Sequence, residues 1–217
     1  MIRYTLEQSA HEMGLDISGE AVRSFELFAE QLKKWNRKIN LTAIITDEEI
    51  AVKHIIDALV LAGCVRDGDR VLDMGSGAGV PAIPLKIVKP SVRVTSVDAV
   101  GKKILFQRHV ARLLGFKGFE AIHGRVENLS CIHAHGFDLI VSRAFSRLEH
   151  FVGLGAPLLA EAGRLIAMKG PTASDEIRAD GERLATLGFE IVSVTPYRLP
   201  FNKGERNLIR IAPRKYA

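Results

Sequence analysis

The residues best suited to chemistry gather at Val71-Leu72-Asp73-Met74-Gly75-Ser76-Gly77-Ala78-Gly79-Val80-Pro81, where an apolar run ending in an acid passes into alternate glycines. Glycines between a strand and a helix permit positive φ and let a ligand come against the backbone. Three nucleotide-type ligands compete for such a loop. A phosphate-binding loop needs GxxxxGK[ST], and no lysine follows these glycines. The dinucleotide fingerprint GxGxxG wants glycine or alanine where Val80 stands, and the carboxylate of Asp73 would repel a pyrophosphate. S-adenosylmethionine has no phosphate and carries a sulfonium and an ammonium, which suits Asp73 followed by Gly75, Gly77 and Gly79.

The hhDhGxGxG pattern of residues 71–79 resembles motif I of the class I methyltransferases. A second apolar run ends at Asp98, 21 residues after Gly77, where a carboxylate can accept hydrogen bonds from ribose hydroxyls. Nicotinamide enzymes share that acid, so it supports an adenosine ligand and leaves the choice to the glycine loop. The methyl acceptor is narrowed by the other strand ends. Ser142-Arg143-Ala144-Phe145 is not the Asn/Asp-Pro-Pro-aromatic motif that holds an exocyclic amine, which disfavours adenine N6 and cytosine N4. Met168-Lys169-Gly170-Pro171 has no thiol, Cys64 precedes the sheet and Cys131 follows its third strand, so covalent methylation of a pyrimidine carbon is disfavoured too. A ring nitrogen such as guanine N7 has a free lone pair and no proton to lose, so positioning and electrostatics suffice. A ribose 2′-hydroxyl stays open, with Lys169 as its candidate activating group. A non-catalytic RNA-binding protein with a donor-like pocket also stays open.

These residues need a scaffold that brings distant loops to one edge. From Arg70 onward, β-branched runs at 70–74, 92–97, 119–122, 137–142, 163–168, 189–194 and 206–211 are spaced along the chain. The first five, each followed by a helix-length segment, predict a parallel doubly wound sheet; the last two, joined only by 195–205, predict an antiparallel pair at one edge. The fold expected over residues 66–217 is α/β and Rossmann-like, of the class I S-adenosylmethionine-dependent methyltransferase type, with a mostly parallel seven-stranded sheet and an antiparallel last strand. Residues 1–65 predict an N-terminal helical extension. Val22, Phe25, Phe28, Leu32, Trp35 and Ile39 recur there every three or four residues, and Thr46-Asp47-Glu48-Glu49 has the form of a capping box opening a third helix through Leu59.

With 217 residues, 47% of them hydrophobic, the chain can build one sizeable core, since this length buries about 70% of its unfolded surface. Cys64 and Cys131 lack CxxC spacing and are expected to be plain buried thiols in a reducing compartment; no metal is expected. The start, MIRYTLEQSAHEMG, does not read as a secretory signal, and the longest uncharged run, Met74 to Leu85, has 12 residues, short of the ~20 that cross a bilayer. A cytoplasmic monomer with no membrane association is expected. Charge is uneven: residues 1–66 hold 8 basic and 10 acidic groups, the remainder 22 and 15. Lys33, Lys34, Arg37 and Lys38 surround Trp35 with no acid between 31 and 42, and Arg198 to Ala217 hold six basic residues against one acid. Two such patches fit a polyanion, with solvated lysines and a basic tail as the competing reading.

Trp35-Asn36-Arg37-Lys38-Ile39-Asn40-Leu41-Thr42, His54-Ile55-Ile56-Asp57-Ala58-Leu59, the loop 73–81, Gly124-Arg125-Val126-Glu127, Ser142-Arg143-Ala144 and Met168-Lys169-Gly170 resemble, in order and spacing, the RsmG family, also called GidB. These are the bacterial 16S ribosomal RNA guanine-N7 methyltransferases, and the resemblance runs from about Leu32 to Arg210. It implies methyl transfer from S-adenosylmethionine to N7 of a guanosine in the decoding-region loop of 16S ribosomal RNA, presented as RNA or as the small ribosomal subunit. Carried over by position, Gly75 and Val80 contact the donor, Val126 and Glu127 flank the adenine, and Arg143 lies beside the donor and the target base, orienting the guanine. Asp98 stands where many relatives have Glu, which leaves a ribose acceptor in place.

The candidate RNA contacts are Lys33, Lys34, Arg37, Lys38, Asn40, Lys102, Arg125, Lys169, Arg206 and Arg210. Lys102 falls near a helix start, where a cation opposes the helix dipole and a facing phosphate would relieve it. Arg125 and Arg143 sit on loops at the ligand-binding edge, where a guanidinium suits phosphates and guanine edges. Alternation along the last strand would equally turn Arg206 and Arg210 harmlessly outward. Asn36 and Asn40 read either as helix-end caps or as RNA contacts, and Trp35 as core. His54 and Asp57, three apart on one helix, share a face and could hydrogen-bond to each other. Tying the extension to the sheet is their expected role, a place at the mouth of the site the alternative.

Overall fold

The computed structural model describes residues 1–129, 134–143, 145 and 147–214. The extension starts with α1 (Ile2–Glu12) and α2 (Gly19–Ile39). Ser18 caps α2, its Oγ accepting the N–H of Ala21 at 3.1 Å, and Val22, Phe25, Phe28 and Leu32 form the buried stripe that the spacing predicts. The helix stops at Asn40, which adopts the left-handed conformation with φ 46°. Asn36 clamps that end: Oδ1 accepts the N–H groups of Leu41 and Thr42 at 2.6 and 2.9 Å, and Nδ2 donates to the carbonyl of Thr42 at 2.9 Å. Its amide is thereby spent within the fold.

The capping box also forms, with Thr46 Oγ1 accepting the N–H of Glu49 at 3.2 Å. The helix that it opens does not run on as the sequence predicts. After α3 (Asp47–Glu49), residues Ile50–Ile56 wind as a π-helix before α4 (Asp57–Ala62) resumes the α register. The N–H of Asp57 bonds to the carbonyl of Val52, five residues back. Such wide turns are rare and frequent at functional sites.

The sheet comprises β1 (Arg70–Met74), β2 (Arg93–Asp98), β3 (Phe119–His123), β4 (Phe137–Ser142), β5 (Leu159–Lys169), β6 (Phe189–Arg198) and β7 (Glu205–Pro213), in spatial order β3-β2-β1-β4-β5-β7-β6. The first five are parallel, and β7 runs antiparallel to both β5 and β6. Helices α5 (Ala82–Val88), α6 (Gly101–Leu113), α7 (Leu148–Gly155) and α8 (Ala173–Thr186) follow β1, β2, β4 and β5. All seven predicted strands are present, β1 and β4 with the predicted ends and the other five with shifted ones. β5 begins at Leu159 because that residue pairs with Phe137 ahead of a register shift. β6 continues to Arg198, opposite Glu205, because a hairpin ladder persists to its turn. After β3 the described residues hold a 3-10 turn, Val126–Asn128, in place of a helix-length segment. Cys64 is half-buried where the chain leaves α4, and Cys131 lies outside the described residues.

Val71, Leu72, Leu139, Ile140 and Val141 are fully buried, as parallel strands covered on both faces must be. Phe151 of α7 and Leu184 of α8 pack on one face; Leu61 of α4 and Leu85 of α5 pack on the other. Leu6, Phe25, Phe28 and Leu32 of the extension join Val80, Ile83, Phe106 and Val110 in a further cluster, so the extension shares apolar contacts with the end of the glycine loop, α5 and α6. Trp35 lies half-buried on this seam, its ring 5.7 Å from Phe106 and 5.1 Å from His109. Among the described residues no helix is long and apolar enough to cross a membrane.

Candidate active site

The parallel strands deliver Met74, Asp98, His123, Ser142 and Lys169 to one edge of the sheet. Strand order reverses between β1 and β4, the switch point at which open α/β sheets take ligands. Ser142 Oγ donates to the carbonyl of Met74 at 2.7 Å and pins the two strand ends together.

The glycine loop leaves β1 at this point. Gly75, Gly77 and Gly79 have φ of 73°, 55° and 81°, values that side chains resist. The N–H groups of Gly75 and Ser76 donate to the carbonyl of Val97 at 2.9 and 3.0 Å. The N–H of Gly77 donates to Asp98 Oδ2 at 2.9 Å, and that of Val100 to Asp98 Oδ1 at 2.8 Å. A carboxylate offers about four acceptor positions, so Asp98 keeps capacity for a diol. Gln107, fully buried on α6, supports the loop from beneath: Nε2 donates to Ser76 Oγ and to the carbonyl of Gly77, both at 2.8 Å, and Oε1 accepts from Ser96 Oγ at 2.5 Å. Sequence reasoning missed Gln107, although a polar residue on the apolar stripe of Ile104 and Val110 was a usable signal.

Asp73 is 1% exposed. One of its oxygens accepts the N–H of Ala82 at 3.2 Å and the other is buried without a partner. Burial pushes its carboxyl up to about 7, against the opposing pull of the Ala82 N–H and of Arg143, while Asp98 adds to the rise. A buried acid with a spare oxygen beside a second acid favours a ligand that carries positive charge.

Two clefts meet at Gly75. The first, about 250 Å³, runs from Asp98 past Arg125, Val126 and Glu127 to Phe145 and His150. The second, about 230 Å³, is lined by Thr42, His54, Gly77, Val80 and Arg143 among others. The extension thus forms a wall of the second cleft, bringing two of its sequence motifs beside the segment after β4. Arg143 Nη2 donates to the carbonyl of Lys53 at 3.2 Å and lies 3.2 Å from Asp57 Oδ2, while Nη1 is buried without a partner.

Asp57, 1% exposed, accepts the O–H of Tyr197 on Oδ1 at 2.6 Å, and the phenol is pushed up by burial and by this carboxylate. His54 lies in the π segment and Asp57 just after it, and the hydrogen bond that their spacing would allow is not made. His54 Nε2 meets Thr42 Oγ1 at 3.1 Å instead, and Nδ1 is buried without a partner. Burial, with Arg143 nearby, lowers the imidazole to about 4, so it is neutral at neutral pH. Tyr197 on the edge hairpin carried no sequence signal.

Of the candidate RNA contacts, Lys34, Arg37, Lys38, Asn40, Lys102, Arg125 and Arg210 are exposed. Lys33 is instead paired with Asp47, and Lys169 with Glu176 and the carbonyl of Phe145, so these two cations are engaged within the fold. Arg206 is half-buried, with Nη1 on the carbonyl of Glu205 at 2.9 Å. Among the described residues, no group of three or more His, Cys, Asp or Glu side chains is placed to hold a metal ion.

The sequence model of the GidB family, rRNA small subunit methyltransferase G, matches residues 21–209. Ribosomal RNA small subunit methyltransferase G of Geobacter sulfurreducens is 52% identical over 206 residues, covering 95% of each chain. The protein of that name from Geotalea uraniireducens is 51% identical over 204 residues, 94% of this chain and 93% of the other. Among solved structures, Aeropyrum pernix fibrillarin with natively bound S-adenosyl-L-methionine has a TM-score of 0.57 over 72% of this chain and 74% of its own, at 18% identity, a likeness of fold. With half its residues shared along nearly its whole length, the chain belongs to the GidB family, rRNA small subunit methyltransferase G.

Proposed function

We propose that the protein transfers a methyl group from S-adenosylmethionine to N7 of a guanosine in the decoding-region loop of 16S ribosomal RNA, as a cytoplasmic monomer acting on RNA or on the small subunit. The observation that carries this reading is the pair of clefts joined at Gly75, one closed by Asp98 and the other by an arginine with a hydrogen bond still to give. S-adenosylmethionine, when bound, supplies a methyl group on a positively charged sulfur. In this reading Asp98 takes the ribose hydroxyls on its remaining lone pairs, Val126 and Glu127 flank the adenine, and the spare oxygen of Asp73 answers the positive charge.

Guanine N7 presents a lone pair and no proton, so the site has to orient it and needs no base. The neutral His54 is compatible with that requirement. Arg143 lies beside the donor in the cleft with Gly75 and Gly77 and helps to hold it, while its Nη1 donates to the O6 edge of the guanine; Asp57 offsets the guanidinium charge as the methylated base becomes cationic. The 2′-hydroxyl alternative is weaker, because Lys169, its candidate activating group, is held by Glu176 and Phe145. The test is transfer from labelled S-adenosylmethionine to small subunits lacking the modification, followed by chemical cleavage at 7-methylguanosine. Cleavage at a single guanosine is expected; donor binding with no label in RNA overturns the proposal.

A further inference from the structure

We infer that Asp57 and Tyr197 are positioning residues for Arg143, and that the π-helical segment of the extension frees a backbone acceptor for the same guanidinium. The inference rests on the role given above to Arg143. In an unbroken α-helix the N–H of Asp57 would bond to the carbonyl of Lys53. It reaches Val52 instead, and the carbonyl of Lys53 accepts Arg143 Nη2. Asp57 Oδ2 faces that same Nη2 at 3.2 Å. Its Oδ1 is taken by the Tyr197 hydroxyl at 2.6 Å, as a carboxylate buried this deeply requires.

The hydroxyl is not part of the hairpin ladder, in which Tyr197 pairs with Arg206 through the backbone. Two stretches of chain remote from Arg143, the helical segment 53–57 and the edge hairpin, therefore converge to fix one of its nitrogens and leave the neighbour, Nη1, unspent. An ion pair serving only to tie the extension to the sheet has no need of that asymmetry. A guanidinium aimed at a ligand does.

Tyr197→Phe removes the hydroxyl and keeps the ring and the ladder. Its affinity for S-adenosylmethionine and its methyl transfer rate on small subunits are expected to fall about 10-fold, the scale of one hydrogen bond to a charged group, with a native circular dichroism spectrum and a melting temperature lower by a few degrees, since Asp57 Oδ1 loses its partner. In the Arg143→Ala background the same substitution should bring no further loss of donor affinity. Asp57→Asn should follow the same pattern with a larger loss. A Tyr197→Phe protein with wild-type affinity and rate, or one losing affinity equally in both backgrounds, overturns the inference while Arg143 keeps its role. Wild-type binding and transfer in Arg143→Ala alone overturns that role, and the inference with it.

Discussion

The N–H of Gly77 donates to Oδ2 of Asp98 at 2.9 Å, so the glycine loop after β1 and the acid that ends β2 form one unit. Removing the carboxylate therefore removes the proposed ribose acceptor and loosens the loop at once. Asp98→Ala should lower S-adenosylmethionine affinity about 100-fold, two charge-assisted hydrogen bonds' worth, while the circular dichroism spectrum stays native. Calorimetric titration checks it, and unchanged affinity would count against the donor site described.

Gly77 and Gly79 should fail in different ways. A Cβ on Gly79 would sit 2.5 Å from Ile83 Cδ1 and 3.1 Å from Gln107 Cγ, at φ +81°. One on Gly77 would meet nothing within 4 Å, at φ +55°. Gly79→Ala should cost about 2–4 kcal/mol of stability, read from urea midpoints. Gly77→Ala should cost about 1 kcal/mol and chiefly reduce donor binding, because its methyl group adds bulk to the second cleft.

Asp73 makes both stability and binding depend on pH. Its carboxyl is held at about 7 in the fold against an ordinary 3.8, so the folded protein keeps a proton that the unfolded chain has released. Stability from this group is complete below 3.8 and is lost as pH rises to about 7. A cationic donor favours the ionised form, so its affinity should rise through pH 7 with proton release. Calorimetry in buffers of differing ionisation enthalpy measures that release, and Asp73→Asn should abolish it.

Gln107→Leu preserves size and removes every polar contact of the buried amide. Ser76 Oγ, Ser96 Oγ and the carbonyl of Gly77 each lose a partner, for a destabilisation of about 2–4 kcal/mol. A melting temperature lower by about 5–10 °C is expected. A shift under 1–2 °C, roughly experimental scatter on that scale, would show that the loop holds without this support.

Lys34, Arg37 and Lys38 are exposed and make no ion pair among the described residues, whereas Lys33 is held by Asp47. Replacing the three exposed cations with alanine should weaken RNA binding and reduce the slope of log affinity against log salt by about 2–3. Lys33→Ala should leave that slope unchanged. Filter binding across a salt series separates the two.

The sheet was legible because β-branched runs at regular spacing leave few alternatives, and Asp73, Asp98 and the glycines, by charge and spacing, marked the strand edge where the structure places the clefts. Arg143 was placed by resemblance, and geometry then supplied its partners. Three features could not be read. The π segment at Ile50–Ile56 occupies a stretch whose spacing reads as an ordinary helix. Tyr197 works through one hydroxyl aimed at a residue 140 positions away. Lys33 and Lys169 looked like surface cations because a long side chain reveals nothing of the acid or carbonyl that the fold brings to it.

The apolar seam between extension and sheet also constrains how the chain is made. Leu6, Phe25, Phe28 and Leu32 are synthesised first, yet Ile83, Phe106 and Val110, which complete their surroundings, come up to 104 residues later. A nascent chain therefore leaves the ribosome with part of this greasy surface uncovered until α6 has been translated, which is the interval in which chaperone capture or misassociation competes with folding.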